Sequence, residues 1–107
     1  MTRAEILEEA GRCITFDRAL THGNAEDSFA AIAGHWTWWL GDRLNAPVTA
    51  FDVAQMMAGF KQARIRSNPG HMDSHVDQCG YIALGGEMAA KTPELQLLSA
   101  LSSGVKP

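Results

Sequence analysis

The sequence has little of several residue types, and each scarcity excludes a class of protein. Two of its 107 residues are cysteines, Cys13 and Cys79, which excludes a disulfide-stapled scaffold and favours two reduced, buried thiols over a single disulfide. Valine and isoleucine together number nine, and no segment alternates apolar with polar residues, so no β-sheet is expected. No apolar run approaches the roughly 18 residues that cross a membrane. Residues 1–15 carry three glutamates instead of an apolar signal segment, so the sequence predicts a cytoplasmic protein.

Positive charge is also scarce, but it is concentrated in one place. Nine lysines and arginines stand against twelve acidic residues, for a net charge of −3. This balance argues against strong nucleic-acid binding, because phosphate contacts need a clustered basic surface. Residues 1–60 have a net charge of −4 and residues 67–107 a net charge of −2, whereas residues 61–66 contain three cations and no acid. The net charge of the whole chain therefore hides a short segment, residues 61–66, that is purely basic.

The residues that are abundant favour helices. Alanine, leucine and methionine number 30, and unbranched side chains keep their rotamer freedom on a helix. Thr2 with Glu5 and Thr49 with Asp52 form two capping boxes, and Asn24 is a predicted N-cap. We predict an all-α bundle of four main helices plus a short C-terminal helix, with approximate bounds of 3–15, 25–40, 50–67, 72–90 and 93–101. In this prediction residues 1–101 form a single domain and residues 102–107 a flexible tail.

The third predicted helix presents a basic pair and the fourth an acidic pair. Lys61 and Arg64 are three residues apart and Asp73 and Asp77 are four apart, so each pair lies on one helical face. The basic pair is either a solvated helix end or a phosphate-binding site, in which lysine supplies a point charge and arginine a fork. The two carboxylates repel each other and call for a partner, which is either the basic pair or a divalent cation such as Mg²⁺. The spacing leaves these alternatives open.

The histidines offer further candidates. His71 and His75 have the i, i+4 spacing of a zinc-binding helix, but the glutamate that the metalloprotease motif requires after the first histidine is absent. His22 lies in an irregular stretch before the second helix, and loops often carry binding residues. The sequence contains no glycine-rich phosphate loop and no serine nucleophile motif.

Three tryptophans lie close together on the second predicted helix. Trp36 belongs to its buried stripe, whereas Trp38 and Trp39 widen the apolar surface beyond one face. A small bundle can hide one such face, so the cluster predicts an interface between the subunits of a homo-oligomer. An ordinary core and a platform for stacking a base are the alternatives.

In their order along the chain, these residues resemble a small helical family of unassigned function that is found in tailed phages and prophages. The resemblance covers about residues 5–90, and its most specific parts are Lys61-x-x-Arg64 and Asp73-x-x-x-Asp77-x-x-Gly80-Tyr81. The remaining matches are Arg18, His22-Gly23, Phe29 and Asp52-Val53-Ala54. The pattern is related to that of the nucleotide-modification-associated domains. The order of basic pair, turn, acidic pair and aromatic residue is similar to that of the all-α nucleotide pyrophosphatases of the MazG type.

The resemblance implies a phage or prophage accessory protein that acts on nucleotides in the bacterial host cell. In the pyrophosphatases, carboxylates on adjacent helices bind divalent metal, which holds a nucleoside triphosphate and activates water. The residues implicated here are Asp73 and Asp77 for Mg²⁺ or Mn²⁺, and Lys61, Arg64, Tyr81 and His22 for the phosphates and the base. The implied activity is metal-dependent hydrolysis of a deoxynucleoside triphosphate to release pyrophosphate. The alternative is a non-catalytic, oligomeric protein that sequesters a nucleotide signal or a host protein.

Overall fold

The computed structural model describes residues 1–17 and 24–102, and every regular element in these two ranges is helical. The first helix continues into a π-helical turn at Cys13–Asp17, and the second is followed by a short 3₁₀ turn at Gly41–Arg43. The α-helices are α1 (Arg3–Arg12), α2 (Ala25–Leu40), α3 (Ala50–Ser67), α4 (Met72–Lys91) and α5 (Pro93–Ser102). The predicted all-α bundle of four main helices and a short C-terminal helix is confirmed.

The helices begin where their capping residues predict. The Thr2 hydroxyl accepts a hydrogen bond from the Glu5 backbone N–H, and the Glu5 carboxylate accepts one from the Thr2 N–H. Thr49 and Asp52 form the same reciprocal pair at α3. Asn24 caps α2 by accepting from the backbone N–H of residue 27. Each cap satisfies backbone donors that have no partner within the helix.

The core lies between α2, α3 and α4. Its buried residues are Phe29, Ala33, Val53, Ala54, Leu84 and Met88. The large apolar residues Met56 and Phe60, which the sequence pattern places on the inner stripe of α3, are 52% and 47% exposed. The same pattern places Val53 and Met57 on this stripe, and these two are confirmed, since Val53 is buried and Met57 packs against the core. It was wrong for Met56 and Phe60, because the alanines at 54 and 58 occupy the rest of the inner face of α3. Small side chains there allow the neighbouring helix to approach closely.

Two glycines of α4 lie where neighbouring segments approach this helix closely. A Cβ atom on Gly80 would lie 2.9 Å from Cγ2 of Ile14, and one on Gly85 would lie 2.8 Å from Nε2 of Gln55. A Cβ on Gly86 would meet nothing within 4 Å. Gly80 and Gly85 therefore permit close packing, whereas Gly86 does not take part in it.

The remaining fold-level predictions concern the cysteines, the chain ends and membranes. Cys13 and Cys79 form no disulfide, as predicted, but both are half-buried and not fully buried. The tail residues 103–107 lie outside the described ranges, so the division into a domain and a tail stays a prediction. Among the helices that the structure describes, none is both long and apolar enough to span a membrane.

Candidate functional site

A tight turn brings the end of α3 beside the start of α4. The helix α3 ends at Ser67 because Asn68-Pro69-Gly70 cannot continue it. The backbone N–H of Asn68 donates to the Arg64 carbonyl at 2.8 Å. Across the turn, Nε2 of His75 lies 2.8 Å from the Pro69 carbonyl oxygen and donates to it. The last turn of α3 and the first turns of α4 are thereby held side by side.

An ion pair joins the two helices next to this turn. Nζ of Lys61 lies 2.9 Å from Oδ2 of Asp77, and their side chains are 18% and 39% exposed. The pairing of the basic with the acidic pair, which the spacing left open, is thus present for these two residues. Asp73 is exposed and forms no ion pair with any residue in the described ranges.

The second cation of the basic pair has a different environment. The Arg64 guanidinium carbon lies over the Phe60 ring, 4.8 Å from its centroid. Nζ of Lys61 lies 5.6 Å from the same centroid. A guanidinium over an aromatic face is held by the electrostatic attraction of the ring. Arg64 is therefore positioned on the surface, and no carboxylate within residues 1–17 and 24–102 forms an ion pair with it.

Arg64 and Phe60 form one wall of an open groove of about 510 Å³. The residues that line it are Phe60, Ala63, Arg64, Ser67, Asn68, His71 and Ser74. Small-molecule sites typically have volumes of about 300–1,000 Å³ and combine apolar walls with a few polar groups. The lining contains one formal positive charge, on Arg64, and no carboxylate. The groove therefore fits a ligand that carries both an apolar part and an anionic group.

Ser74 is the one polar residue of this groove that is deeply buried. It is 1% exposed, and its hydroxyl forms no hydrogen bond with any residue of the described ranges. Sequence reasoning missed Ser74, because a serine inside a helix forms no functional motif. It also placed Phe60 in the core. The signal that could have found Ser74 is its register, since the series 74, 77, 81, 84 and 88 defines one helical face that includes buried Leu84 and Met88.

The other predicted nucleotide-binding residues lie elsewhere or outside the described ranges. Tyr81 is half-buried and packs against the core residue Phe29, with ring centroids 6.1 Å apart. It lines a separate small cavity of about 60 Å³ rather than the groove. His22 lies outside residues 1–17 and 24–102. The structure thus brings Lys61, Arg64 and Asp77 to one hairpin, and Tyr81 lines the small cavity together with Asp77 instead of the groove.

The carboxylates do not form a ready-made metal site. Asp77 already contacts the Lys61 ammonium, which would compete with a metal ion for its oxygen atoms. Within residues 1–17 and 24–102 no three histidine, cysteine, aspartate or glutamate side chains are grouped so that they could hold a metal. His71 precedes α4 as its N-cap, and His75 bonds to the turn. The assignment of Asp73 and Asp77 to Mg²⁺ or Mn²⁺ stays a prediction.

The tryptophan cluster divides between the core and the surface. Trp36 is half-buried and packs against the core. Trp38 and Trp39 are 72% and 70% exposed, and their ring centroids lie 6.2 Å apart. The His35 ring lies 5.6 Å from that of Trp38. The assignment of the three tryptophans to a subunit interface stays a prediction.

The fold and the groove define a small all-helical domain with a surface site at a helical hairpin. Residues 5–89 match a protein family described as a domain of unknown function, DUF6378, and the chain belongs to this family. No solved structure matches the chain.

Two related proteins come from bacteriophages. The chain is 34% identical over 76 residues to the Gene 55 protein of Mycobacterium phage D29. This match covers 71% of this chain and 48% of that protein. The chain is 37% identical over 76 residues to the Gene 55 protein of Mycobacterium phage L5, and this match covers 71% of this chain and 47% of that protein. The chain therefore spans about half the length of these relatives. The predicted membership in a phage family of unassigned function is confirmed, whereas the likeness to MazG-type enzymes stays a prediction.

Proposed function

We propose that this protein is a phage accessory protein that binds a nucleotide in the groove at the α3–α4 turn. The observation that carries the proposal is the Arg64 guanidinium, which lies 4.8 Å from the centroid of the half-exposed Phe60 ring at the wall of the groove. A guanidinium offers a planar fork of donors that matches phosphate oxygens. An adjacent aromatic surface offers apolar contact to a base or a sugar.

The position of Lys61 limits what the groove can do. Of the two cations assigned to the phosphates, Lys61 is engaged by Asp77, so Arg64 remains to meet an anion. Hydrolysis of a triphosphate would require Asp77 to exchange its lysine partner for a metal ion. We therefore restrict the proposal to binding. Metal-dependent pyrophosphate release is a separate hypothesis, which an assay with Mn²⁺ and the four deoxynucleoside triphosphates would test.

Thermal shift and calorimetric titration with a panel of nucleotides test the proposal. A ligand at 100 times its Kd stabilises a protein by about 2.7 kcal/mol, which raises the Tm by several degrees for a domain of this size. Arg64→Ala is expected to abolish this shift. Arg66→Ala is the matched control, because Arg66 lies in the same helical turn but does not line the groove. If no nucleotide stabilises the protein, the proposal fails.

A second candidate function is a non-catalytic, oligomeric binding protein that sequesters its target. It is favoured by the exposed surface of α2, where residues 28–40 contain no aspartate, glutamate, lysine or arginine. Gly34 and Ala30 on this surface are exposed and small, while Trp38 is exposed and large. If two copies of α2 crossed antiparallel at Gly34, Trp38 of each copy would lie over Ala30 of the other. Such a surface is self-complementary, which is what a two-fold interface requires.

A further inference from the structure

We propose that the groove selects a nucleoside monophosphate and needs no metal ion, with the phosphate bound by the Arg64 guanidinium and the Ser74 hydroxyl. This inference rests on the proposed nucleotide binding and specifies its ligand. It differs from the triphosphate and metal that the resemblance to pyrophosphatases implies. Three features of the groove support this ligand: the charge of its lining, a buried hydroxyl and an uncapped helix start.

The charge of the lining fits a single phosphate group. The groove contains one formal positive charge and no carboxylate. Lys61, the next cation along α3, is neutralised by Asp77 at 2.9 Å. A phosphate monoester carries about −1.5 to −2 charges at pH 7. A triphosphate would bring further negative charge that nothing in this lining compensates.

The buried hydroxyl of Ser74 supplies a donor for the same group. Nearly all buried polar groups in proteins are hydrogen-bonded, so a side chain that is 1% exposed and unpartnered needs an explanation. Ser67 of the same groove shows the contrast, because its hydroxyl donates to the Ala63 carbonyl at 3.3 Å. A phosphate oxygen at Ser74 would complete the missing hydrogen bond.

The start of α4 adds to this electrostatic preference. Its N-cap, His71, forms no side-chain hydrogen bond to the helix, and it lines the groove together with Ser74. The first N–H groups of a helix and its dipole favour an anion at this end. Arg64, Ser74 and the N-cap residue His71 thus all line the same groove.

Ser74→Ala separates a binding role from a structural one. Removing an unpaired buried hydroxyl is expected to leave the Tm of the unliganded protein unchanged or higher. The affinity for a monophosphate should fall by roughly tenfold or more, because a hydrogen bond to a charged group is lost. Ser67→Ala is the comparison variant, since the hydroxyl of Ser67 is engaged by its own helix, and it should change the affinity by less than about twofold. The affinity of Ser74→Cys for the monophosphate provides a second measurement, because this substitution nearly preserves the volume of the side chain.

Calorimetry in EDTA with the four deoxynucleoside monophosphates, their triphosphates and inorganic phosphate distinguishes the outcomes. We expect a monophosphate to bind at least as tightly as its triphosphate, and more tightly than inorganic phosphate. Tighter binding of the triphosphate, a requirement for Mg²⁺, equal binding of inorganic phosphate, or an unchanged affinity in Ser74→Ala would each overturn this inference and leave nucleotide binding intact. If none of the nucleotides binds with or without metal, nucleotide binding itself fails.

Discussion

Nζ of Lys61 on α3 and Oδ2 of Asp77 on α4 lie 2.9 Å apart, and this ion pair connects the two helices that form the groove. Lys61 is the more buried partner, with a side chain that is 18% exposed. Arg64 lies one helical turn from Lys61 on the same helix. The ion pair therefore engages Lys61 and leaves Arg64 as the cation that lines the groove.

The ion pair should contribute to stability. Asp77→Asn leaves the Lys61 ammonium largely buried and without its counter-charge, so we expect the free energy of unfolding to fall by about 1 kcal/mol. Urea unfolding of this variant, of Lys61→Met and of the double variant measures the coupling between the two side chains. High salt should reduce the difference, because the carboxylate is 39% exposed.

Asp73→Asn is the matched control for the ion pair, because Asp73 is exposed and unpaired among the described residues. It should change the stability by less than about 0.5 kcal/mol. The opposite pattern would support the metal-site hypothesis. In that case Asp77→Asn would be more stable than the wild type without metal, because carboxylate repulsion is relieved, and Mn²⁺ would stabilise only the wild type.

Two glycines of the same helix should respond in opposite directions to alanine. Gly86→Ala adds a methyl group in open space, so the better helix propensity of alanine should stabilise the protein by about 0.5–1 kcal/mol. Gly80→Ala places its Cβ 2.9 Å from the branched Ile14 side chain, so the π-helical turn that carries Ile14 must shift to accommodate it. We expect a lower Tm for Gly80→Ala and a higher one for Gly86→Ala in calorimetry. Equal shifts would show that this turn does not pack against α4 at this distance.

The capping box of α1 should make the protein sensitive to acid. The pKa of Glu5 is lowered from its usual 4.5, first by the hydrogen bond from the Thr2 backbone N–H and then by the Thr2 hydroxyl. Folding is therefore favoured by the ionised carboxylate above about pH 4.5, and this contribution is lost as the pH falls through the lower folded pKa. NMR titration of the Glu5 carboxyl should give a midpoint below 4.5. Thr2→Val, which keeps the backbone donor, should raise the midpoint only in part. A wild-type midpoint at or above 4.5 would contradict this assignment.

The exposed tryptophans should govern self-association. If the outer face of α2 is a two-fold interface, the protein should sediment at about twice 11.6 kDa, and Trp38→Ala should sediment as a monomer. Leu7→Ala is the control, because Leu7 is similarly exposed, at 63%, but lies on α1. Sedimentation of the wild type as a monomer at about 100 μM would rule out a homodimer of the affinity that such interfaces usually have.

Features that depend on residues close together in the sequence were predicted better than features that depend on packing between helices. Caps such as Thr2 with Glu5 depend on residues three apart, so their signal is complete in the sequence. The inner face of α3 was predicted correctly at Val53 and wrongly at Phe60, because the pattern gives weight to large residues, whereas packing against α4 also selected the small Ala54. The π-helical turn at Cys13–Asp17 was not predicted for the same reason, since no local motif specifies it.

The candidate site was likewise predicted only in part. The spacing of Lys61 and Asp77 made their pairing one of the predicted alternatives, and the structure contains it. The groove was not predictable, because it depends on how far Phe60 turns outward and how deeply Ser74 is buried. Those quantities are set by the approach of two helices and not by any motif.

The turn of four residues between α3 and α4 also has a kinetic consequence. These two helices pack against each other more extensively than any other pair in the described ranges, and residues 68–71 alone separate them. Contacts that close a short loop form early in folding, because little chain entropy is lost before they are made. We therefore expect the hairpin to form before the π-helical turn packs against it at Gly80. A ligand held by Arg64 and Ser74 would bind residues of the hairpin alone, and so would stabilise the part of the molecule that forms first.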